Sequence, residues 1–203
     1  MAFLTREQLY KIGFASLGEH VFISDKASVY NSSKISIGNY VRIDDFSVLS
    51  AGNGGIELSD FVHIGCQSSL IGEAKIKLGF YCGLSSKVSL YSSNDDFSGI
   101  SLPGVKIVIP EKFRKLTIKP IILENYTIIG SNSVVLPGVT IGEGAVVGAL
   151  SFVRKDCKPW FTYSGNPLRC IRRRNQEMLK FIPELKKIQE AGLIKLPLYG
   201  IES

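Results

Sequence analysis

Two carboxylates stand side by side at Asp95 and Asp96, inside the stretch LYSSNDDFSG (90–99). Ionised at neutral pH, such a pair can hold an ammonium group, orient it, or accept a proton that becomes acidic during a reaction. The competing reading is a turn, because Asp ahead of Ser and Gly commonly ties up nearby backbone N–H groups. Other proton-handling side chains are scarce, for the chain has two histidines, His20 and His63. His63 is the second candidate base, or a hydrogen bonder to a substrate hydroxyl, against a purely structural role. The four cysteines (Cys66, Cys82, Cys157, Cys170) show neither paired metal-ligand spacing nor a disulfide framework. No metal is expected, and the thiols read as reduced, as in a cytoplasmic protein.

A second feature with chemical meaning is the distribution of charge. Residues 151–180 hold Arg154, Lys155, Lys158, Arg169, Arg172, Arg173, Arg174 and Lys180 against Asp156 and Glu177. Eight bases against two acids give an excess of six, as large as the +6 of the whole 203-residue chain. Charge concentrated this way implies an anionic partner at one place. Nucleic acid would require aromatic platforms among the cations. Trp160, Phe161 and Tyr163 lie close by, but a phosphate-bearing small molecule is the favoured reading. No leader peptide is expected, since Arg6, Glu7 and Lys11 interrupt any early apolar run, and no apolar stretch is long enough to span a membrane.

These groups must be positioned by a scaffold, and its signature is a period of six. Leu17, Ile23 and Val29 step by six, as do Ile37, Ile43 and Leu49, then Leu58, Ile64 and Leu70, then Leu78, Leu84 and Leu90. After a break of some thirty residues the rhythm resumes at Leu123 and runs through Ile129, Val135, Ile141 and Val147 to Val153. Helices repeat at three and four, and amphipathic strands at two. Six suits a coil of short straight sides, three to a turn, stacked at strand spacing of about 4.8 Å. Small or apolar residues four places after the anchors, such as Val41, Ser47, Ser68, Cys82 and Ser151, would fill the inner corners. Thr5 with Gln8 predicts a capping box, and Gly13 a helix stop, for an N-terminal cap. Met178, Leu179, Ile182, Leu185 and Ile188 predict a C-terminal helix, with Pro183 at its start or kink, to cover the other end.

The repeat over 15–173 resembles the hexapeptide-repeat acyltransferases, most clearly over 121–167. Within that family SSNDDFSG (92–99), LPGVTIGEGAVVGALSFV (136–153), SGNP (164–167), MAFLTREQLYKIGF (1–14) and VRIDDFSVLSAGNGGIEL (41–58) are similar to small sugar acyltransferases of surface-polysaccharide pathways. The similarity is greatest to those acting on dTDP-4-amino-4,6-dideoxyglucose. It implies a mainly β fold, a left-handed parallel β-helix, in one domain spanning 1–203. The expected layout is a helical cap over 1–14, a β-helix over 15–173 with a loop inserted at about 91–120, and a helical extension over 174–203. It also implies a cytoplasmic homotrimer, acetyl-CoA as donor, and a dTDP- or UDP-linked amino sugar as acceptor for O-antigen synthesis, with sites between subunits.

Acetyl transfer from a thioester needs a placed nucleophile, a proton acceptor and a stabilised oxyanion. Many relatives use a loop histidine as base, and this loop has none. An amine acceptor demands less of a base than a hydroxyl does, so N-acetylation is favoured over O-acetylation, with Asp95, Asp96 and His63 as the catalytic candidates. Ser92 and Asn94 in the loop string are expected substrate contacts. Lys75, twenty residues before Asp95, is predicted one rung away and ion-paired with it. For the cofactor, the resemblance points to Gly130, Ser131, Gly148, Ala149 and Leu150 along the pantetheine arm, and to Asn166 and Pro167 near the adenine. Arg154, Lys155, Arg172 and Arg173 are the expected phosphate partners. A non-catalytic solenoid is the rival outside the enzyme class; a zinc hydratase on this fold would need about three histidines per metal.

Overall fold

The computed structural model describes residues 2–104 and 108–191. Strands of two to four residues wind into a three-sided prism whose sides are parallel sheets. The first face carries Ser16–Leu17, Ile35–Ile37, Ile56–Leu58, Ile76–Leu78, Ile121–Leu123 and Thr140–Ile141. The second carries Phe22–Ile23, Arg42–Ile43, His63–Ile64, Gly83–Leu84, Ile128–Ile129, Val146–Val147 and Phe161–Ser164, closed by Arg169–Arg173 running antiparallel. The third carries Ser28–Tyr30, Val48–Ala51, Ser69–Gly72, Ser89–Tyr91, Val134–Val135 and Phe152–Val153.

Every strand beside its sequence-successor on the same face is one full turn away, which is why the anchors recur at six and the turns at twenty or so. The anchors point inward: Ile23, Ile43, Leu49, Ile64, Leu70, Leu78, Leu90, Leu123, Ile129, Val135 and Val147 are fully buried. Each such side chain contributes roughly 1.5–3 kcal/mol of burial. The inner corners take small residues, several of them serines. Ser47, Ser68 and Ser133 are buried and donate to the carbonyls of Gly65, Ser85 and Gly148 on neighbouring turns, so none of these three hydroxyls is left unpaired.

The corner between the first and second faces carries an aromatic stack: His20, Tyr40, Phe61, Tyr81, Tyr126 and Trp160, at centroid spacings of 4.5–6.4 Å. All six sit in the left-handed region, with φ between 56° and 62°. That conformation costs a non-glycine residue roughly 1–2 kcal/mol, and each ring contact returns about 0.5–1.5. Gly144 occupies this corner one turn before Trp160. A Cβ there would lie inside the indole, which packs flat on the glycine and reaches Tyr126.

Helix α1 (Arg6–Ile12) caps the first turn with the expected box: Thr5 Oγ accepts from Gln8 N, Gln8 Oε1 accepts from Thr5 N, and Gly13 is left-handed. Leu9 seals it against the core. Between Tyr91 and Ile121 the chain leaves the coil. Ser93–Asp95 pairs antiparallel with Leu116–Ile118 to form an arm. The other end differs from expectation. Helix α2 (Ile182–Glu190) carries Pro183 in its first turn and follows a 3-10 turn over Glu177–Phe181, yet none of its described side chains is buried. Phe161 and Leu168 pack on the core there instead, beside the antiparallel strand. The rest of the expected extension, 192–203, lies outside the described residues.

Candidate active site

The second face holds a cavity of about 530 Å³ whose parts come from four consecutive turns. Its floor is His63, Gly83 and Ile128, which are in lateral register. One wall is the edge of the aromatic stack, Phe61 and Tyr81, and the other is Ser85, Ser86 and Ser131 at the next corner. The imidazole is fixed from behind. Asp44, only 8% exposed, accepts from Arg42 Nε at 2.7 Å through Oδ1 and meets His63 Nε2 at 2.9 Å through Oδ2. An ionised carboxylate can only accept, so Nε2 bears the proton and the lone pair of neutral His63 lies on Nδ1. Ser86 Oγ accepts from Cys66 Sγ at 3.3 Å. The Ser85 hydroxyl makes no hydrogen bond among the described residues.

The aspartate doublet divides its labour. Both Asp96 oxygens are engaged: Ser98 donates from its N and Oγ at 2.9 and 2.6 Å, and Ile100 and Ser101 donate from their backbone N–H groups at 3.1 Å. The Ser98 hydroxyl, then its backbone N–H, hold the Asp96 carboxyl well below the usual carboxylate range. Asp96 therefore builds the turn, with both of its oxygens committed to neighbouring donors. Asp95 is exposed, and its carboxylate makes no hydrogen bond or ion pair among the described residues. Asn94 is bent onto the chain, donating to the Asp95 carbonyl at 3.0 Å.

Two further expectations fail. Lys75 does not pair with Asp95. It joins Lys77 on Glu57, at 2.5 and 2.8 Å, and the two ammonium groups lower the Glu57 carboxyl from its ordinary value. Ser92 is fully buried and donates to Ala74 O at 2.7 Å, out of reach of any substrate.

The expected cofactor residues fall at the second–third corner and the coil's end. Ser131 opens on the His63 cavity, and Ala149 and Leu150 are exposed on the same corner, Leu150 with φ 57°. Gly130 and Gly148 have an internal reason to be glycine: a Cβ on the first would collide with Ala149 N, and on the second would sit 2.7 Å from Ser164 Oγ. The basic cluster splits in two. Arg154 and Lys155 line a cavity of about 480 Å³ with Asn166 and Pro167. Arg172 and Arg173 line another, of about 530 Å³, with Thr162. Arg174 is a structural clamp, donating from Nη1 to Tyr126 O and Gly144 O at 2.8 and 2.9 Å. Among the described residues no cluster of three or more His, Cys, Asp or Glu is placed to hold a metal, and no helix is long and apolar enough to cross a membrane.

Asp44, Gly83 and Ser85 were not anticipated. Their signal lay in the columns: Arg42, His63 and Gly83 recur at 21 and 20 residues on the outward side of one face.

A prism of hexapeptide turns, with a notched face and cationic cavities at one end, is the scaffold of a hexapeptide transferase. The profile for the bacterial transferase hexapeptide (six repeats) matches residues 120–155. The chain is 44% identical over 180 residues to a dTDP-4-amino-4,6-dideoxy-D-glucose acyltransferase of Escherichia coli, covering 89% of this chain and 93% of that protein. It superposes on AntD, an N-acyltransferase from Bacillus cereus solved with dTDP and 3-hydroxybutyryl-CoA, at TM-score 0.87 and 39% identity, covering 93% of this chain and 98% of that one. A variant of AntD solved with dTDP-4-amino-4,6-dideoxyglucose and coenzyme A matches at TM-score 0.86 over 91% and 97%. The chain belongs to the hexapeptide-repeat acyltransferases, and it is an acyltransferase.

Proposed function

We propose that this enzyme transfers an acyl group, acetyl in the first instance, from a coenzyme A thioester to the amino group of a nucleotide-linked amino-deoxysugar, with dTDP-4-amino-4,6-dideoxyglucose the foremost acceptor. The observation that carries the reading is the second-face cavity, where a carboxylate-held imidazole and an uncommitted serine face an open notch that leads towards cationic cavities. The E. coli relative and AntD, alike over nine-tenths of the chain, support the acceptor.

The step is aminolysis of a thioester. The amine lone pair attacks the carbonyl carbon, and the nitrogen, now far more acidic, gives its proton to Nδ1 of His63 while Asp44 holds the ring. The Ser85 hydroxyl donates to the oxyanion. The C–S bond then breaks and the departing sulfur takes up a proton. Before attack Asp95 orients the ammonium, which releases one proton to solvent to expose the lone pair; the proton His63 takes after attack is the one passed to the departing sulfur. AntD has been solved as variants at a serine and at an aspartate ten positions apart. Ser85 and Asp95 share that spacing, as do Ser86 and Asp96. Of these, Ser85 and Asp95 are the pair with free side chains.

Asp95 and the cavity belong to different sides of one chain, the arm leaving after the third face and the cavity lying on the second. The arm also exposes Phe97 (89%) and Ile100 (77%). A second copy covering this arm would bury those side chains and bring Asp95 to His63, which supports a homotrimer with shared sites. Acyl-CoA and nucleotide-sugar substrates support a cytoplasmic reaction, and supply of surface polysaccharide is the matching role.

The deciding experiment is thiol release from acetyl-CoA with dTDP- and UDP-amino sugars beside their hydroxyl counterparts. Turnover confined to amino sugars is expected; turnover confined to hydroxyl sugars overturns N-transfer.

A further inference from the structure

Gly83 is the one gap in a column of side chains. On the outward side of the second face the register runs Phe22, Arg42, His63, Gly83, Ile128 and Val146, then Thr162. Nothing in the fold asks for glycine at this place. Its φ lies outside the left-handed region, and a Cβ built on it would meet no atom within 4 Å. Gly130, by contrast, is forced by the backbone of Gly148 and Ala149 on the next turn. A glycine inside a strand weakens it, and where packing does not explain it, it marks the close approach of something else.

We propose that Gly83 sets the size of the acyl group: the gap between His63 and Ile128 receives the acyl chain, and the enzyme transfers acyl groups longer than acetyl as well as acetyl itself. This rests on the donor reading above. Strand spacing leaves roughly 10 Å between the side-chain columns of His63 and Ile128, two rungs apart, which is wide enough for an alkyl chain. The path of the donor puts the acyl end there. From Thr162, beside Arg172 and Arg173, to Gly83 is three rungs, roughly 14 Å. That is on the order of an extended pantetheine arm. A thioester arriving from the cationic end passes Val146 and Ile128 and delivers its acyl group at Gly83, with His63 on the far side. The floor is apolar at Ile128 and polar at His63, matching a chain that carries a carbonyl.

The test compares wild type, Gly83→Ala and Gly83→Val with acetyl-CoA and 3-hydroxybutyryl-CoA against dTDP-4-amino-4,6-dideoxyglucose. Wild type is expected to use both donors. The ratio of kcat/KM for the two should move towards acetyl by at least about tenfold in Gly83→Val, with Gly83→Ala between. Thermal midpoints at or above wild type confirm that both variants fold. The proposal is overturned if wild type transfers acetyl but rejects the four-carbon group, if the ratio stays put, or if the substitutions alter only the KM of the sugar. A wild-type protein that turns over neither donor overturns the function as well, and the wild-type arm alone reveals it.

Discussion

Asp44 Oδ2 and His63 Nε2 meet at 2.9 Å beneath the second-face cavity, and Arg42 shares the same carboxylate at 2.7 Å. The carboxylate fixes the tautomer, and the fixed tautomer makes Nδ1 the acceptor. Replacing His63 by Asn should lower kcat by about 100-fold or more, the usual worth of a placed general base. Asp44→Asn leaves the ring in place but lets it flip or donate, so kcat should fall while KM for the sugar holds. Asp44→Glu should restore part of the loss. Steady-state kinetics on the three variants checks this, and unchanged kcat in His63→Asn moves proton removal elsewhere.

Asp95 and Asp96 should separate cleanly. Asp95→Asn removes the charge proposed to orient the ammonium and should raise KM for the amino sugar with the arm intact. Asp96→Asn removes the acceptor for the N–H groups of Ser98, Ile100 and Ser101. Its effect should be faster cleavage of the arm in limited proteolysis. Equal proteolysis and equal kinetics for the two variants would contradict the division drawn between them.

Ser92 is a test of burial against substrate contact. Its hydroxyl is satisfied by Ala74 O, so Ser92→Ala strands that carbonyl and should destabilise the protein by about 1 kcal/mol. Because the side chain lies inside the coil, kcat/KM should be kept. Denaturant titration beside kinetics distinguishes the two roles.

The scaffold was legible because an inward anchor every six residues is a packing requirement, and packing requirements write themselves into residue type. The capping box of Thr5 and Gln8 was legible for a similar reason, being local. The errors arose where the chain leaves the repeat. Counting rungs from Lys75 to Asp95 assumes a coil, but after Tyr91 the strand turns into the arm and pairs with Leu116–Ile118. Lys75 then finds Glu57 on its own face. Ser92 looked like part of the polar string, whereas its register position is an inner corner. The helical spacing from Met178 to Ile188 fixed a helix and was silent on where it docks. Asp44 was hidden in an Asp44–Asp45 pair at a corner, where acidic residues are common turn formers.

The exposed arm gives an assembly prediction. Phe97→Asp places a charge where an apolar side chain stands 89% exposed in the single chain. If a second copy covers it, the variant should sediment as a smaller species and lose activity along with it. A variant that keeps the assembly and the rate of the wild type would leave the arm without a partner.

The thiols should divide by environment, with a consequence at alkaline pH. Burial pushes the Cys157 thiol up to about 12, and burial also raises Cys82. Cys170 is exposed and Cys66 half-buried. Only thiolates react with iodoacetamide at a useful rate. At pH 8 the native protein should therefore be labelled first at Cys170 and then at Cys66, with Cys82 and Cys157 protected, as mass spectrometry would show. In the unfolded chain Cys157 ionises near the ordinary thiol value of about 8.5. Between that pH and about 12 the native state holds a proton that the unfolded state has released, so stability must fall as pH rises. Cys157→Ala removes this proton difference, and its unfolding free energy should decline less steeply than wild type across pH 9 to 10. Identical slopes would mean that Cys157 is open to solvent in the native state and that the coil's last turn is looser than its packing shows.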